Sequence, residues 1–143
     1  MPRHLPLYSW PPGRWRRIST ASQRRLAVVS GGTLGTLGRS AVSDGTTTPG
    51  TWPWATFAVN LIGTLILGWL LARLLRSGRP MRLIIPFLGI GVLGGFTTFG
   101  AFAYETWELT VAGRWPMAAL YVLASVALGL GVAVAGSRLA EVR

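Results

Sequence analysis

The side chains of this 143-residue sequence that could bind or react are few, and most recur at helical spacing. Thr56, Asn60, Thr64 and Gly68 follow one another every four residues, as do Tyr121, Ser125 and Gly129. Residues four apart share one face of a helix, so each set forms a polar stripe. Asn60 is the costliest of these groups to bury, and its amide can donate to an anion or to a neighbouring backbone. Between the stripes lies Gly94-Gly-Phe-Thr-Thr-Phe-Gly-Ala-Phe102, in which Phe99 and Phe102 stand three apart and point the same way if helix resumes after the threonines. A phenylalanine ring has a negative face and a positive edge, so paired edges can line the path of an anion without a fixed charge. Taken singly, a hydroxyl stripe reads as helix-packing glue and an aromatic pair as core or lipid-facing filling. Two stripes beside a glycine-rich segment favour the anion path.

Enzyme chemistry is missing from the inventory, and the chain is not expected to be an enzyme. The one histidine, His4, falls in a polar stretch and there is no cysteine. This excludes a histidine-based zinc site, a thiolate metal site and a Ser/His/Asp triad. The four acids, Asp44, Glu105, Glu108 and Glu141, are expected at helix ends or in loops. No nucleotide-binding motif is present.

The elements that must position the stripes are apolar runs. Half of the sequence is hydrophobic and only 13% is charged, too little to solvate a globular surface, so the expected class is an all-α membrane protein. Four passes are the simplest count, at about 26–42, 54–72, 83–104 and 115–137, since a helix needs about 20 residues to cross the hydrocarbon core. The first is short and glycine-rich, with Gly31 and Gly35 on one face and Arg39 near its far end. The second is uncharged, between Trp52 and Trp54 at one end and Arg73 at the other. In the third, Gly89, Gly91, Gly94 and Gly95 precede Thr97, Thr98 and Gly100, which disfavours a continuous helix. Backbone freed by a break in the membrane must find partners in protein, water or an ion. Residues 26–140 are expected to form one four-helix domain.

All fourteen basic residues are arginines, and the formal charge is +10. Most lie outside the apolar runs, which fits anchoring at lipid headgroups better than nucleic-acid binding. Residues 1–25, with Arg3, Arg14, Arg16, Arg17, Arg24 and Arg25 among prolines and hydroxyl residues, are expected to be a disordered basic cytoplasmic tail. With four passes, this tail, the loop holding Arg73, Arg76, Arg79 and Arg82, and the carboxyl end holding Arg138 and Arg143 share one side. Only Arg39 and Arg114 fall to the other, so both termini are expected in the cytoplasm, with the chain in the cell inner membrane.

These motifs together resemble the bacterial fluoride channel family, small four-pass proteins also known as camphor-resistance or chromosome-condensation proteins. The resemblance covers roughly Leu26 to Ala140. It rests on Gly31-Gly-Thr-Leu-Gly-Thr-Leu-Gly-Arg39, Val59-Asn60-Leu-Ile-Gly63-Thr64 with Leu67-Gly68, Gly94-Gly-Phe-Thr-Thr-Phe99 with Phe102 and Glu105, and Tyr121 with Ser125. It implies two protomers inserted in opposite orientations, two narrow fluoride pores near their interface, and a structural Na+ at the centre held by backbone carbonyls of Gly94 and Thr97. It also implies that Phe99 and Phe102 are pore aromatics, Asn60 and Ser125 a polar track, and Tyr121 a hydroxyl lining the path. Arg39, with Arg25, is a candidate entrance charge. Two departures stand out: the family usually has serine where this chain has Gly100, and a hydroxyl where it has Gly129.

Two other functions share these features. A proton-coupled four-pass multidrug transporter needs a titratable carboxylate inside the membrane, which the expected positions of the acids do not supply. A non-conducting accessory subunit of a heterodimeric fluoride channel would share every fold-level motif and show no flux with any partner. The strong arginine bias points the same way on partnership. A chain that inserts in one orientation needs an oppositely oriented homologue to complete an antiparallel dimer.

Overall fold

The structure, a computed structural model, describes residues 18–43, 50–77 and 82–141. All secondary structure among these residues is helical. Helix α1 spans Ile18–Ser43 and α2 spans Trp54–Arg76. Helix α3 begins as a wide π-helical winding over Ile85–Leu93 and closes in a single α-turn, Gly94–Phe96. Helix α4 is Phe99–Val111 and α5 is Trp115–Leu139.

Among the described residues, three stretches are long and apolar enough to cross a membrane: Trp54–Arg76, Ile85–Val111 and Trp115–Leu139, of 23, 27 and 25 residues. At 1.5 Å per residue each exceeds the roughly 30 Å hydrocarbon core. Their outward faces are large and apolar: Leu75, Leu123 and Leu130 are exposed. That surface suits lipid and not water. The chain is a multi-pass membrane protein.

Several boundaries differ from expectation. Residues 18–25 are not a disordered tail, because α1 already starts at Ile18; the stretch Ala21-Ser-Gln-Arg-Arg-Leu26 is made largely of good helix formers, and nothing in it breaks a helix. The earlier part of the expected tail, with His4, lies outside the described residues. Helix α2 continues past residue 72 to Arg76, where arginines in the last turn complement the helix dipole.

Close backbone contact holds the helices together. Helices α2 and α5 pack along each other, and α1 packs along α3. At the first crossing a Cβ on Gly68 would stand 2.5 Å from the Ala133 carbonyl oxygen, and one on Gly136 2.9 Å from the Trp69 nitrogen. Only glycine permits that approach. At the second, Gly91 meets the Gly31 backbone and Gly95 meets that of Gly32, so α1 and α3 run in the same direction. A tight turn at Gly113, φ +73°, joins α4 to α5, and Pro116 occupies the first turn of α5, where its missing N–H costs nothing. Arg76 meets Glu141 at 2.5 Å, and the Arg114 guanidinium donates to the Gly50 carbonyl.

Candidate functional site

The site is built around an interruption between α3 and α4. Thr97 has φ −75° and ψ 155°, and Thr98 has φ −145° and ψ 125°, so both are extended between two helical segments. Several groups secure the interruption. The Thr98 hydroxyl accepts from Ala101 N–H at 3.2 Å, capping α4, and the Thr97 hydroxyl donates to the Leu93 carbonyl at 2.8 Å. From α2, Asn60 Oδ1 accepts the Thr98 N–H at 2.8 Å while Asn60 Nδ2 donates to the Thr98 carbonyl at 3.0 Å. From α1, Arg39 Nε donates to the Gly95 carbonyl at 3.3 Å. Two N–H groups that a continuing helix would send to the carbonyls of Gly94 and Thr97, those of Thr98 and Ala101, are therefore turned elsewhere.

A groove of about 350 Å³ lies beside the interruption, and Asn60, Thr64, Thr98, Phe99, Phe102 and Ser125 all line it. Phe99 is 80% exposed, with its ring 5.9 Å from that of Phe102, centroid to centroid. Ser125 Oγ is buried and has no hydrogen-bond partner. A smaller cavity of about 40 Å³ runs on from it between α2 and α5, touching Phe57, Asn60, Thr64 and Gly129. Gly129 faces open space, where a hydroxyl-bearing side chain would fit without collision.

The sites expected from sequence are thus brought together with two exceptions. Asn60, Thr97, Phe99, Phe102 and Ser125 line the groove, and Gly94 stands three residues before Thr97 in the last turn of α3. Tyr121 does not line the groove. Its side chain is fully buried against Phe102 (5.2 Å) and Trp52 (5.4 Å), and its hydroxyl donates to Glu105 Oε2 at 2.8 Å. Arg39 does not line the groove: its Nε reaches the Gly95 carbonyl, level with the interruption.

Glu105 is the group that sequence reasoning misplaced. It is neither terminal nor in a loop but within α4, 8% exposed, accepting from Thr56 Oγ1 at 2.6 Å as well as from Tyr121. The apolar-run boundary at Tyr104 hid it, because α4 continues to Val111. The dismissal of a multidrug transporter for want of a buried acid therefore loses its ground. Thr98, whose backbone and side chain both hold the interruption, was also overlooked; its place directly after another threonine in a glycine-rich run was the available signal.

Comparison with known proteins decides between the remaining families. Residues 26–137 match the model of the CrcB-like protein family, camphor resistance (CrcB). The chain belongs to the CrcB family. It is 41% identical over 105 residues to the fluoride-specific ion channel FluC 1 of Mycobacterium bovis, covering 73% of this chain and 80% of the relative. It is 42% identical over 120 residues to the fluoride-specific ion channel FluC of Thermus thermophilus, covering 82% and 94%. The FluC of Paracoccus denitrificans is 44% identical over 113 residues, covering 78% and 89%. Membership in CrcB replaces the missing-acid criterion as the reason to set the transporter aside.

Proposed function

We propose that this chain is a subunit of a fluoride-specific channel that lowers cytoplasmic fluoride by passive export. The observation that carries the reading is the groove at the helix interruption, where a phenylalanine pair and an unpartnered buried hydroxyl meet in a CrcB-family chain. Fluoride enters cells as neutral hydrofluoric acid, ionises in the near-neutral cytoplasm and is trapped there. A negative interior drives the anion outward at about 2.3 kcal/mol per charge per 100 mV, so no energy-coupling motif is required. Along the groove, Ser125 Oγ offers a donor, Asn60 retains the second hydrogen of its amide, and the ring edges of Phe99 and Phe102 replace part of the hydration shell.

The quaternary reading follows from the same groove. Helix α1 is proposed as the fourth pass, with the interruption lying in mid-membrane and both termini in the cytoplasm. The groove is open on the side where Phe99 is 80% exposed, and an oppositely inserted second protomer would close it into a pore. That protomer is proposed to be a homologous paired subunit. At the centre of the dimer, the carbonyls of Gly94 and Thr97 would hold a structural Na+. Their oxygens fit such a group, being hard donors whose helical N–H partners are engaged by Asn60 and by the Thr98 hydroxyl. When bound, the ion would supply a fixed positive charge to offset converging carbonyl dipoles; it is not transported.

Fluoride efflux from liposomes tests the proposal, first with this chain alone and then with a co-expressed homologue. Fluoride flux that exceeds chloride flux is expected in at least the paired preparation; equal flux of both ions in either would sink it. A second reading, the non-conducting accessory subunit, is favoured by Gly100 and Gly129, neither of which supplies a donor to the path. It predicts that no preparation containing this chain conducts through its groove.

A further inference from the structure

We propose that Arg39 is a positioning residue of the helix interruption, taking over at the Gly95 carbonyl from the helical N–H that the break removes. The inference rests on the channel reading for its functional consequence but on geometry for its substance. In an unbroken helix the Gly95 carbonyl would accept from Phe99, four residues on. Phe99 is instead the first residue of α4, beyond two extended threonines. Arg39 Nε lies 3.3 Å from that carbonyl, and Thr36 Oγ1, on the same face of α1, lies 3.5 Å from it. One oxygen thus draws two donors from a different helix.

Depth gives the contact its weight. Helices α1 and α3 run side by side in register, Gly31 against Gly91, Gly32 against Gly95, and Gly38 beside the Phe96 ring. Arg39 therefore sits within the helical layer at the level of the interruption, away from the outer ends of the pair at Ile85 and Val111. An arginine at such depth is costly unless it pairs, and backbone carbonyls are among the partners that hold it. The pairing also acts outward. Fixing the Gly95 carbonyl fixes the peptide plane between Gly95 and Phe96, which lies between the carbonyls of Gly94 and Thr97 and directly before the threonines that shape the groove.

Side-chain topology separates this role from an electrostatic one. Glutamine places Nε2 the same number of bonds from Cα as arginine places Nε, so Arg39→Gln keeps a donor in position and loses the charge. Arg39→Lys keeps the charge and moves the donor one bond further out, and Arg39→Met keeps bulk with neither. The experiment is hydrogen–deuterium exchange over residues 94–101 in the purified protein, alongside fluoride efflux from liposomes. Arg39→Gln is expected to match wild type in both within about twofold, and Arg39→Met to exchange about tenfold faster and lose about tenfold in flux. Wild-type exchange in Arg39→Met would overturn the proposal. So would a reversed order, in which Arg39→Lys keeps wild-type behaviour and Arg39→Gln resembles Arg39→Met, because charge alone would then explain the residue. If wild type passes no fluoride even with a co-expressed homologue, the channel reading falls while the exchange data still judge Arg39.

Discussion

Asn60 and Thr98 are joined by two hydrogen bonds that run in opposite directions, Thr98 N–H to Asn60 Oδ1 at 2.8 Å and Asn60 Nδ2 to the Thr98 carbonyl at 3.0 Å. A single side chain on α2 thereby serves both main-chain groups of an extended residue that has left its helix. The arrangement also fixes which end of the amide is oxygen, because the N–H requires an acceptor and the carbonyl a donor. Asn60 is thus a structural clamp on the interruption.

Replacing the clamp should separate the contributions of its two bonds. Asn60→Leu removes both bonds and is expected to destabilise the protein by about 1–3 kcal/mol for each main-chain group left unpaired, with fluoride flux falling at least about tenfold. Asn60→Asp keeps the acceptor for Thr98 N–H, so it should lose less stability, yet its negative charge on the groove should abolish flux as fully. Unfolding in detergent and liposome efflux, measured on the same preparations, check the pair. Equal stability loss in both variants would show that the acceptor half of the clamp contributes nothing.

The two aromatics of the groove should respond differently to the same substitution. Phe99 is 80% exposed and touches Phe102, whereas Phe102 also packs on the buried Tyr121 ring. Isoleucine retains bulk and lacks the positive ring edge. Phe99→Ile is therefore expected to cut fluoride flux at least about tenfold with no loss of stability, while Phe102→Ile costs flux and about 1 kcal/mol of stability besides. Unchanged flux in both would return the rings to a packing role. Chloride should remain excluded in wild type, as an ion-selective electrode would report.

Glu105 offers a test of buried polar pairing. Its two oxygens accept from Thr56 and Tyr121, with no cation among the hydrogen bonds and ion pairs described around it. Tyr121→Phe should cost about 1–3 kcal/mol, because a buried acceptor loses its donor. Glu105→Leu combined with Tyr121→Phe should cost less than the sum of the single changes, since removing both partners strands neither. A double-mutant cycle by detergent unfolding measures this, and strict additivity would mean that the bond seen at 2.8 Å carries no energy.

Much of the layout was legible because helical period and glycine spacing report directly on which faces meet. Gly31, Gly68 and the Asn60 and Thr64 part of the α2 stripe lie where their spacing placed them, whereas Thr56 turns to Glu105. Tyr121 was misplaced for a geometric reason. A four-residue step overshoots the 3.6-residue turn by about 40°, so the ends of a Tyr121, Ser125, Gly129 stripe diverge. Ser125 reaches the groove while Tyr121 turns towards Glu105. The Glu105 cluster was illegible because Thr56, Glu105 and Tyr121 come from three helices, and only their docking brings them together. Arg39 was read as an entrance charge because sequence gives distance along α1 but not its offset against α3.

That offset sharpens the last prediction, which concerns orientation. The amino-terminal stretch through Arg25, the last turn of α2 with the connection that follows it (Arg73, Arg76, Arg79 and Arg82) and the carboxyl end together hold twelve arginines, against Arg39 and Arg114 for the opposite side. Arg39 is paired with Gly95 at the level of the interruption, so it lies inside the helical layer and adds little to the outer count. Arg114, whose guanidinium meets the Gly50 carbonyl, is left as the main opposing charge. Arginines in short loops and near helix ends stay cytoplasmic, and a chain that inserts both ways needs nearly balanced sides. Leaving out Arg3 through Arg25 still gives six against two, so the bias does not depend on the amino-terminal segment. Single cysteines introduced at Gly78 and at Gly113 should therefore label differently in intact cells: Gly113→Cys from outside, Gly78→Cys only after permeabilisation. An antiparallel dimer then requires a homologous partner of opposite bias, and fluoride efflux should rise when such a partner is co-expressed. Comparable external labelling at both positions would show dual insertion, and a homodimer would suffice.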